Sequence, residues 1–476
     1  MTLKRLLKEI EYEKVIGDTE LKIKEISCDS RKLKKGDLFV ACKGENHDGH
    51  EYIKEAISKG AVAAVGEREF HHKITYIKVS DSRKALADLA AAFYDHPTKR
   101  LFTVGITGTN GKTTTAHLSR SILGEKNTEI ISTIVNNLER GSANTTPNPL
   151  QIQKIAYEAL SLGKKNLVLE ASAHGLSQHR VRSVDFDVAV FTNLTHDHLD
   201  YFGNFTNYMK AKLLLFSSLK KDGVAIINLD DPHGEEFIKS TPADVLTYGL
   251  NSKADLFADR IKLFPHSSSF RVHTPKGTIP IKTRLPGRFN IYNILAAVGV
   301  SLKGGIPLDE IKAGIEAVKN IPGRFERYMT KDGVFIVIDF AHSPDGLQKI
   351  IEALKPFHRV ITVFGCGGEA DRAKRPIMGR ISGYLSDYTI ITSDNPKGED
   401  PEMIIKEIET GISTITKAYE TIVDRGEAIK RALEIAKRGD VVLIAGKGHE
   451  RTQVFKGKEI KFSDRLFLQE MGMINL

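Results

Sequence analysis

Gly105-Ile106-Thr107-Gly108-Thr109-Asn110-Gly111-Lys112-Thr113 decides how the rest of this 476-residue chain is read. The stretch reads G-x-x-G-x-x-G-K-T, a glycine-rich loop closing on the Gly-Lys-Thr of the G-x-x-x-x-G-K-[ST] pattern, with five residues rather than four between Gly105 and Gly111. An apolar run at 101–106 precedes it and a helix-like segment follows, which is the strand–loop–helix context the pattern requires. Glycines let the backbone curl until its N–H groups face phosphate oxygens, and the following helix presents its amino terminus to the same anion. Gly108, Thr109, Asn110, Gly111 and Thr114 form the cradle and its continuation. Lys112 can reach the terminal phosphates, and the Thr113 hydroxyl is placed to ligate magnesium. A nucleoside triphosphate is expected to bind here, because an ordinary glycine-rich turn gives no reason for a lysine and a threonine side by side. The loop alone leaves motor, kinase, GTPase and ligase open.

Working outward, short apolar runs at 166–170, 187–192 and 223–228 read as further buried strands with helix-like segments between several of them. This is the grammar of a central α/β domain with a mostly parallel sheet, whose ligands gather beyond the carboxyl ends of its strands. Residues 253–283 alternate more and suggest a hairpin insertion, and 290–303 read as a helix packed on the sheet. Upstream, runs at 37–41, 60–65 and 74–79, with helix-like 52–59 and 82–93, predict a small mixed α/β domain. Asp95-His96-Pro97-Thr98 closes it, since the residue before proline is pushed out of the helical region. Downstream, Ile321-Pro322-Gly323-Arg324-Phe325 marks a second boundary. Runs at 333–338, 359–364, 388–392 and 441–445 then alternate with helices in a smaller, Rossmann-like α/β unit. The expected division is 1–97, 98–325 and 326–476.

Composition narrows the class. Lysine and arginine number 69 against 60 acidic residues, a net +9 that is scattered rather than blocky. Such a surface attracts anionic substrates into clefts but lacks the aromatic-interleaved basic track of a nucleic-acid binder. Cys28, Cys42 and Cys366 are odd in number and have no CxxC spacing, so neither a disulfide framework nor a zinc cluster is expected. The start Met1-Thr2-Leu3-Lys4-Arg5 does not resemble a signal peptide and no apolar stretch is long enough to span a bilayer, so the expectation is a cytoplasmic monomer.

No strand ends in a clear Walker-type aspartate. Instead Leu167-Val168-Leu169 runs into Glu170, and the 187–192 run leads to Thr195-His196-Asp197-His198-Leu199-Asp200. An acid and a histidine near adjacent strand ends are candidates for one hard cation, whereas zinc lacks a third protein ligand.

Six motifs in order carry a resemblance over essentially the whole chain. They are Gly108-Thr-Asn-Gly-Lys-Thr-Thr114, Glu170-Ala-Ser-Ala-His-Gly-Leu, Asp197-His-Leu-Asp, Asp339-Phe-Ala-His-Ser-Pro-Asp, Asp394-Asn-Pro and Gly446-Lys-Gly-His-Glu450. The chain resembles the Mur ligase family. The last two motifs point to the branch that adds a diamino acid to UDP-N-acetylmuramoyl-L-alanyl-D-glutamate (UDP-MurNAc-L-Ala-D-Glu) in peptidoglycan precursor synthesis. The resemblance implies three domains, for the uridine diphosphate, for ATP with Mg2+, and for the amino acid. It also implies an acyl phosphate on the D-glutamate side chain that an amine then attacks.

Carried over residue by residue, the resemblance makes Lys112, Lys212, His198 and Glu170 catalytic. Thr113, Glu170, His198 and Lys212 become the metal set, with Lys212 carrying a carbamate. Asn290, Asn293, Arg324, Asp339 and His342 fall on the nucleotide. Ser30, Arg31, Lys43, His47, Thr145, Thr146, Ser172, Gln178 and Arg180 fall on the UDP-muramyl substrate. Asp371, Arg372, Arg375, Asp394, Asn395, Lys397, Gly446 and Glu450 fall on the incoming amino acid.

Two departures fall in that last group. Asp394-Asn395-Pro396 continues with Lys397 where diaminopimelate-adding members carry arginine, and Ala370 stands where the family's Gly-Gly-Asp-Arg-Asp has its arginine. Lysine keeps the charge but not the planar two-oxygen fork. On that ground the expected amino acid is lysine, D-lysine included, with meso-diaminopimelate the alternative. The rival functions are a folylpolyglutamate-type or other Mur-type ligase, which would not bind the muramyl dipeptide, and a non-catalytic ATP-regulated module, which would not release phosphate.

Overall fold

In the computed structural model the strand Phe102–Thr107 lies inside a nine-stranded sheet, parallel to Val188–Phe191 on one side and Asn166–Glu170 on the other. Residues 1–44, 47–70, 73–140, 144–251 and 253–474 are described. Going outward from the central strand, Thr128–Ile131 completes one edge. Val224–Asn228, Asp244–Gly249 and Leu256–Phe264 extend the parallel part on the other. The run expected as a hairpin insertion supplies three strands, Leu256–Phe264, Ser267–Thr274 and Gly277–Thr283. Its last two pairings are antiparallel and continue the same sheet.

Continuous apolar strands are what a sheet covered on both faces demands. Val104, Ile106, Val188, Val190 and Ile226 point to one core, beneath helices Lys112–Leu123 and Arg288–Lys303. Their alternates Ala189, Phe191, Ala225 and Ile227 point to the other, beneath Pro149–Ser161 and Phe205–Ser217. A slip of one residue would exchange these two sets, so register is strongly specified.

The amino-terminal sheet has five strands in the order Lys14–Ile16, Thr75–Lys78, Ala63–Gly66, Leu38–Val40, Ile26–Ser27, antiparallel only at the first pairing. The carboxy-terminal sheet has six, in the order Glu326–Met329, Phe335–Asp339, Val441–Ala445, Val360–Phe364, Tyr388–Ile391, Tyr419–Thr421, again antiparallel only at its first pairing. The three-domain α/β architecture expected from the sequence is present. Among the described residues no helix is long and apolar enough to cross a membrane.

One buried ion pair braces the carboxy-terminal sheet. Arg425 binds Asp464 bidentately, Nε to Oδ1 at 2.7 Å and Nη2 to Oδ2 at 2.9 Å, and both side chains are fully buried. The same Nη2 donates to the carbonyl of Ala445 at 3.0 Å, so the pair fixes the strand end that launches Gly446 to Glu450. Removing one partner of a buried pair leaves the other uncompensated. Arg425→Ala is therefore expected to cost about 3–5 kcal/mol of stability, read as a lowered denaturation midpoint; a loss below ~1 kcal/mol would refute this bracing role.

Candidate functional site

The phosphate loop is shaped by two glycines. Gly108 has φ +144° and Gly111 has φ +87°; a Cβ on the first would collide with Thr192 Oγ1 and on the second with Asn293 Oδ1. The loop is tied down from the neighbouring strand end: Thr109 N donates to Asn193 O at 2.8 Å and Asn110 N to Asn193 Oδ1 at 2.9 Å. Helix Lys112–Leu123 starts directly after Gly111, with its first amides unpartnered within the helix. Lys112 Nζ folds back onto the carbonyls of Gly108 (2.9 Å) and Thr109 (2.8 Å). Burial lowers its pKa, opposed by the charges of Glu170 and Asp197.

A second lysine converges on the same carbonyl. Lys212 Nζ donates to Gly108 O at 2.9 Å and stands 4.4 Å from the Tyr208 ring centre. Burial, then the charge of Lys112, pushes its pKa well below the usual lysine range. Lys212 is thus a buried lysine on a helix, which the sequence pattern alone could not distinguish from a solvated one.

On the acid side, Glu170 ends its strand fully buried. Thr113 Oγ1 donates to its Oε2 at 3.0 Å, Thr133 N to its Oε1 at 3.0 Å, and Thr133 Oγ1 to its Oε2 at 3.1 Å. A hydroxyl and a carboxylate beside a phosphate cradle are the oxygen donors that magnesium takes, with phosphate and water completing the shell. Among the described residues no three His, Cys, Asp or Glu side chains form a metal cage of their own. His198 sits in the left-handed region at φ +55°, its Nε2 3.6 Å from Asp197 Oδ2 and its ring 4.9 Å from that of His174. Burial holds it down to about 3, so it presents a neutral imidazole.

These groups open onto a cavity of about 930 Å3 that also takes in Asn290, Asn293, Arg324, Asp339 and His342. Asn290 Nδ2 donates to Pro286 O at 2.7 Å, and Asn293 Nδ2 to Asn290 Oδ1 at 3.1 Å. Arg324 Nη2 donates to Thr113 Oγ1 at 3.0 Å, its guanidinium 4.6 Å from the Phe340 ring centre. Asp339 accepts from the amides of Phe325 (2.7 Å) and Ala341 (2.8 Å), yet burial pushes it up to about 6. His342 Nδ1 lies 2.7 Å from Phe340 O.

The substrate-side candidates divide. Thr145 and Ser172 line the cavity. Thr146 joins them to the acid: its Oγ1 donates to Glu170 O at 2.7 Å and accepts from Ser172 N at 2.9 Å. Arg180 donates to Thr146 O at 2.7 Å and to Gln178 Oε1 at 2.6 and 3.0 Å. Ser30, Arg31, Lys43 and His47 lie in the amino-terminal domain, outside this cavity. Ser30 is buried and donates to Glu55 at 3.1 Å, Arg31 is exposed and pairs with Asp29 at 2.9 Å, and Lys43 O accepts from Arg83.

In the carboxy-terminal domain Glu450 reaches the cavity. It accepts from Asn395 Nδ2 at 2.8 Å and Lys447 Nζ at 2.9 Å, and burial raises its pKa against the pull of Lys447. Gly446 (φ +113°) makes room for Asp394, whose buried Oδ2 has no hydrogen-bond partner among the described residues. Lys397 is half-buried at φ +54°, its N–H bonded to Val454 O at 2.8 Å. The two arginines considered as substitutes for the missing one are already engaged. Arg375 is buried against Glu399 and Glu407, at 2.8–2.9 Å, and exposed Arg372 pairs with Glu407.

Several contacts joining the second and third domains were not legible. Asn110 Nδ2 donates to Asp345 Oδ2 at 2.8 Å, His196 Nε2 lies 2.8 Å from Asp371 Oδ2, and Lys374 Nζ lies 3.8 Å from Asp197 Oδ1. Asp345 falls inside a quoted motif, but Lys374 gives no local signal because its partner is remote in sequence.

A strand–loop–helix phosphate cradle, an acid at the neighbouring strand end and a third α/β domain closing over both define a nucleotide-dependent ligase fold, and comparison with known proteins agrees. Models described as Mur ligase family, catalytic domain (residues 22–94), Mur ligase middle domain (106–301) and Mur ligase, glutamate ligase domain (323–448) match the chain. It is 42% identical over 485 residues to the UDP-N-acetylmuramoyl-L-alanyl-D-glutamate--2,6-diaminopimelate ligase of Syntrophomonas wolfei, covering 99% of both chains. It is also 42% identical to ligase 2 of that name from Clostridium acetobutylicum, covering 99% of this chain and 100% of the relative. A solved structure of a ligase of that name aligns with TM-score 0.68 and 31% identity, covering 99% of this chain and 98% of the other. MurF from Acinetobacter baumannii shares the fold, with TM-score 0.70 at 22% identity over 94% and 95% of the two chains.

The chain belongs to the Mur ligase family, and it is an ATP- and Mg2+-dependent ligase. Within the family it is highly similar to MurE, the diaminopimelate-adding enzyme. The expectation of lysine as the added amino acid is corrected by these relatives. Those at 40–42% identity are all 2,6-diaminopimelate ligases. The physical reason is that loss of the arginine fork at Lys397 removes planarity but not the positive charge a distal carboxylate requires.

Gly111→Ala forces a left-handed backbone on alanine and drives its Cβ into Asn293. The KM for ATP should rise by about tenfold or more, the equivalent of ~1.4 kcal/mol. Gly163→Ala, also at positive φ but in open space, should leave that KM unchanged. Equal ATP kinetics in both variants would refute the steric account.

Proposed function

We propose that this protein joins 2,6-diaminopimelate to the D-glutamate side-chain carboxylate of UDP-MurNAc-L-Ala-D-Glu, forming ADP and phosphate, in peptidoglycan precursor synthesis in the cytoplasm. The observation that carries this reading is the single cavity shared by Lys112, Thr113, Glu170, Arg324 and Glu450. There a carboxylate activated on one wall meets an amine held at the other. We assign 1–97 to the UDP moiety, 98–325 to ATP and the activated carboxylate, and 326–476 to the amino acid.

In the first step a carboxylate oxygen attacks the γ-phosphorus, and ADP leaves with the electron pair of the broken P–O bond. In the second, the amine attacks the acyl carbon, phosphate leaves with the C–O pair, and the ammonium proton passes to the medium. Two anions must meet, so Lys112 and Arg324 supply preorganised positive charge. Thr113 and Glu170 would hold one Mg2+, and His198 with Lys212 a second; the ions would neutralise phosphate charge. Lys397 would pair with the distal carboxylate of diaminopimelate, while Asp394 and Glu450 hold its ammonium.

The test is product mass after incubation with ATP, UDP-MurNAc-L-Ala-D-Glu and either diaminopimelate or lysine. Diaminopimelate should be the better substrate by kcat/KM. Lys397→Ala should raise its KM about 10- to 100-fold, the loss of one charge-assisted bond, and Lys397→Arg should preserve it. No turnover with diaminopimelate would overturn the reading.

We also propose that Lys212 carries a carbamate. A buried, neutral amine is the form that attacks CO2, forming an N–C bond and releasing a proton, and the resulting anion would offset the charge of Lys112. Activity should increase with added bicarbonate, and native mass spectrometry should show one added CO2 that Lys212→Ala lacks. Full activity in CO2-free buffer with unmodified protein would refute it.

A further inference from the structure

His449 is a buried side chain of the cavity that no step above employs. It is 7% exposed, lines the same cavity as Glu170 and Arg324, and has neither ring nitrogen hydrogen-bonded among the described residues. A buried polar group without a partner is costly and calls for an explanation. The ring lies 5.1 Å from that of Phe340, and the backbone beneath it is closely packed, since Gly323, at φ +64°, has no room for a Cβ beside the His449 amide. Arg324, His117 and Lys447 are the charged and titratable groups that act on it, and together with burial they hold the imidazole down to about 3. A neutral imidazole in cationic surroundings offers an N–H donor where an anion is expected.

We propose that His449 is a further catalytic residue of this ligation, donating an N–H hydrogen bond to the phosphoryl group as it passes from ATP to the substrate carboxylate. Three placements support this. Arg324, which acts on His449, donates to the Thr113 hydroxyl beside the phosphate cradle. The cavity wall is continuous from Thr113 and Glu170 to His449. Glu450, the next residue, faces the same space from the amino-acid side, so His449 stands where the two half-reactions meet. A fixed neutral donor stabilises the transferring anion without the proton loss that a charged histidine would risk. The proposal rests on the acyl-phosphate reaction above.

The experiment compares His449→Phe, His449→Asn and His449→Gln in the full chain, with thermal melting as the folding control. The acyl phosphate is trapped as a hydroxamate in the absence of the amino acid. His449→Phe should melt like wild type, keep the KM for ATP within about twofold, and lower both kcat and hydroxamate formation by about 10²-fold, the usual loss on removing one such donor. Asn and Gln place an N–H near one or the other ring nitrogen, and at least one of them should recover activity. Three outcomes overturn the proposal: unchanged hydroxamate formation in a folded Phe variant, a loss confined to the KM for ATP, or no recovery by either amide in folded protein. Absence of any hydroxamate in the wild-type protein would instead overturn the acyl-phosphate reading.

Discussion

Buried positive charge around one loop is the constraint from which the rest of the site follows. Lys112, Lys212 and Arg324 all lie close to the Gly108–Thr113 segment, and the acids set against them are Glu170 and Asp197. Cations withdrawn from water are expensive unless paired, and each of these three has its pKa lowered by burial. A bound triphosphate would offset that cost, so the cradle is electrostatically primed for an anion. The same surroundings explain why His198 and His449 are held down: burial disfavours the charged form, and protonation next to these cations would add like charge.

The domain arrangement serves this constraint. Asp197 is held down to about 2 against burial by Lys374, His198 and His342, so a carboxylate of the central domain is partly neutralised by Lys374 and His342 of the third. Asn110 to Asp345 acts likewise across the cleft. Closure therefore both excludes water and completes the charge balance, two effects that strengthen one another at low local dielectric.

Long doubly buried strands were readable because each announces itself as an unbroken apolar run: Val188–Phe191 and Val441–Ala445 are buried at every position. Short strands were not. Ile26–Ser27, Lys14–Ile16 and Tyr419–Thr421 sit at sheet edges, where two or three residues with an exposed face carry no periodic signal. Residues 253–283, expected as a hairpin insertion, form strands that continue the central sheet instead. Alternation predicts a half-exposed strand pair but says nothing about which existing edge it will join.

The sequence by itself determined the phosphate loop, since its requirements are local: positive φ at fixed positions, a strand before and a helix after. It also determined the family, through six motifs in order. Only the tertiary structure decided the electrostatic state of each group. Lys212 looks like a solvated lysine until Gly108 and Lys112 are brought beside it. Arg375 looks available for a carboxylate until Glu399 and Glu407 occupy it. His449 is one residue within a short motif until the fold buries its ring with neither nitrogen hydrogen-bonded among the described residues. Charge state depends on distances between residues remote in the chain and on how much water remains among them, and neither is written in local spacing.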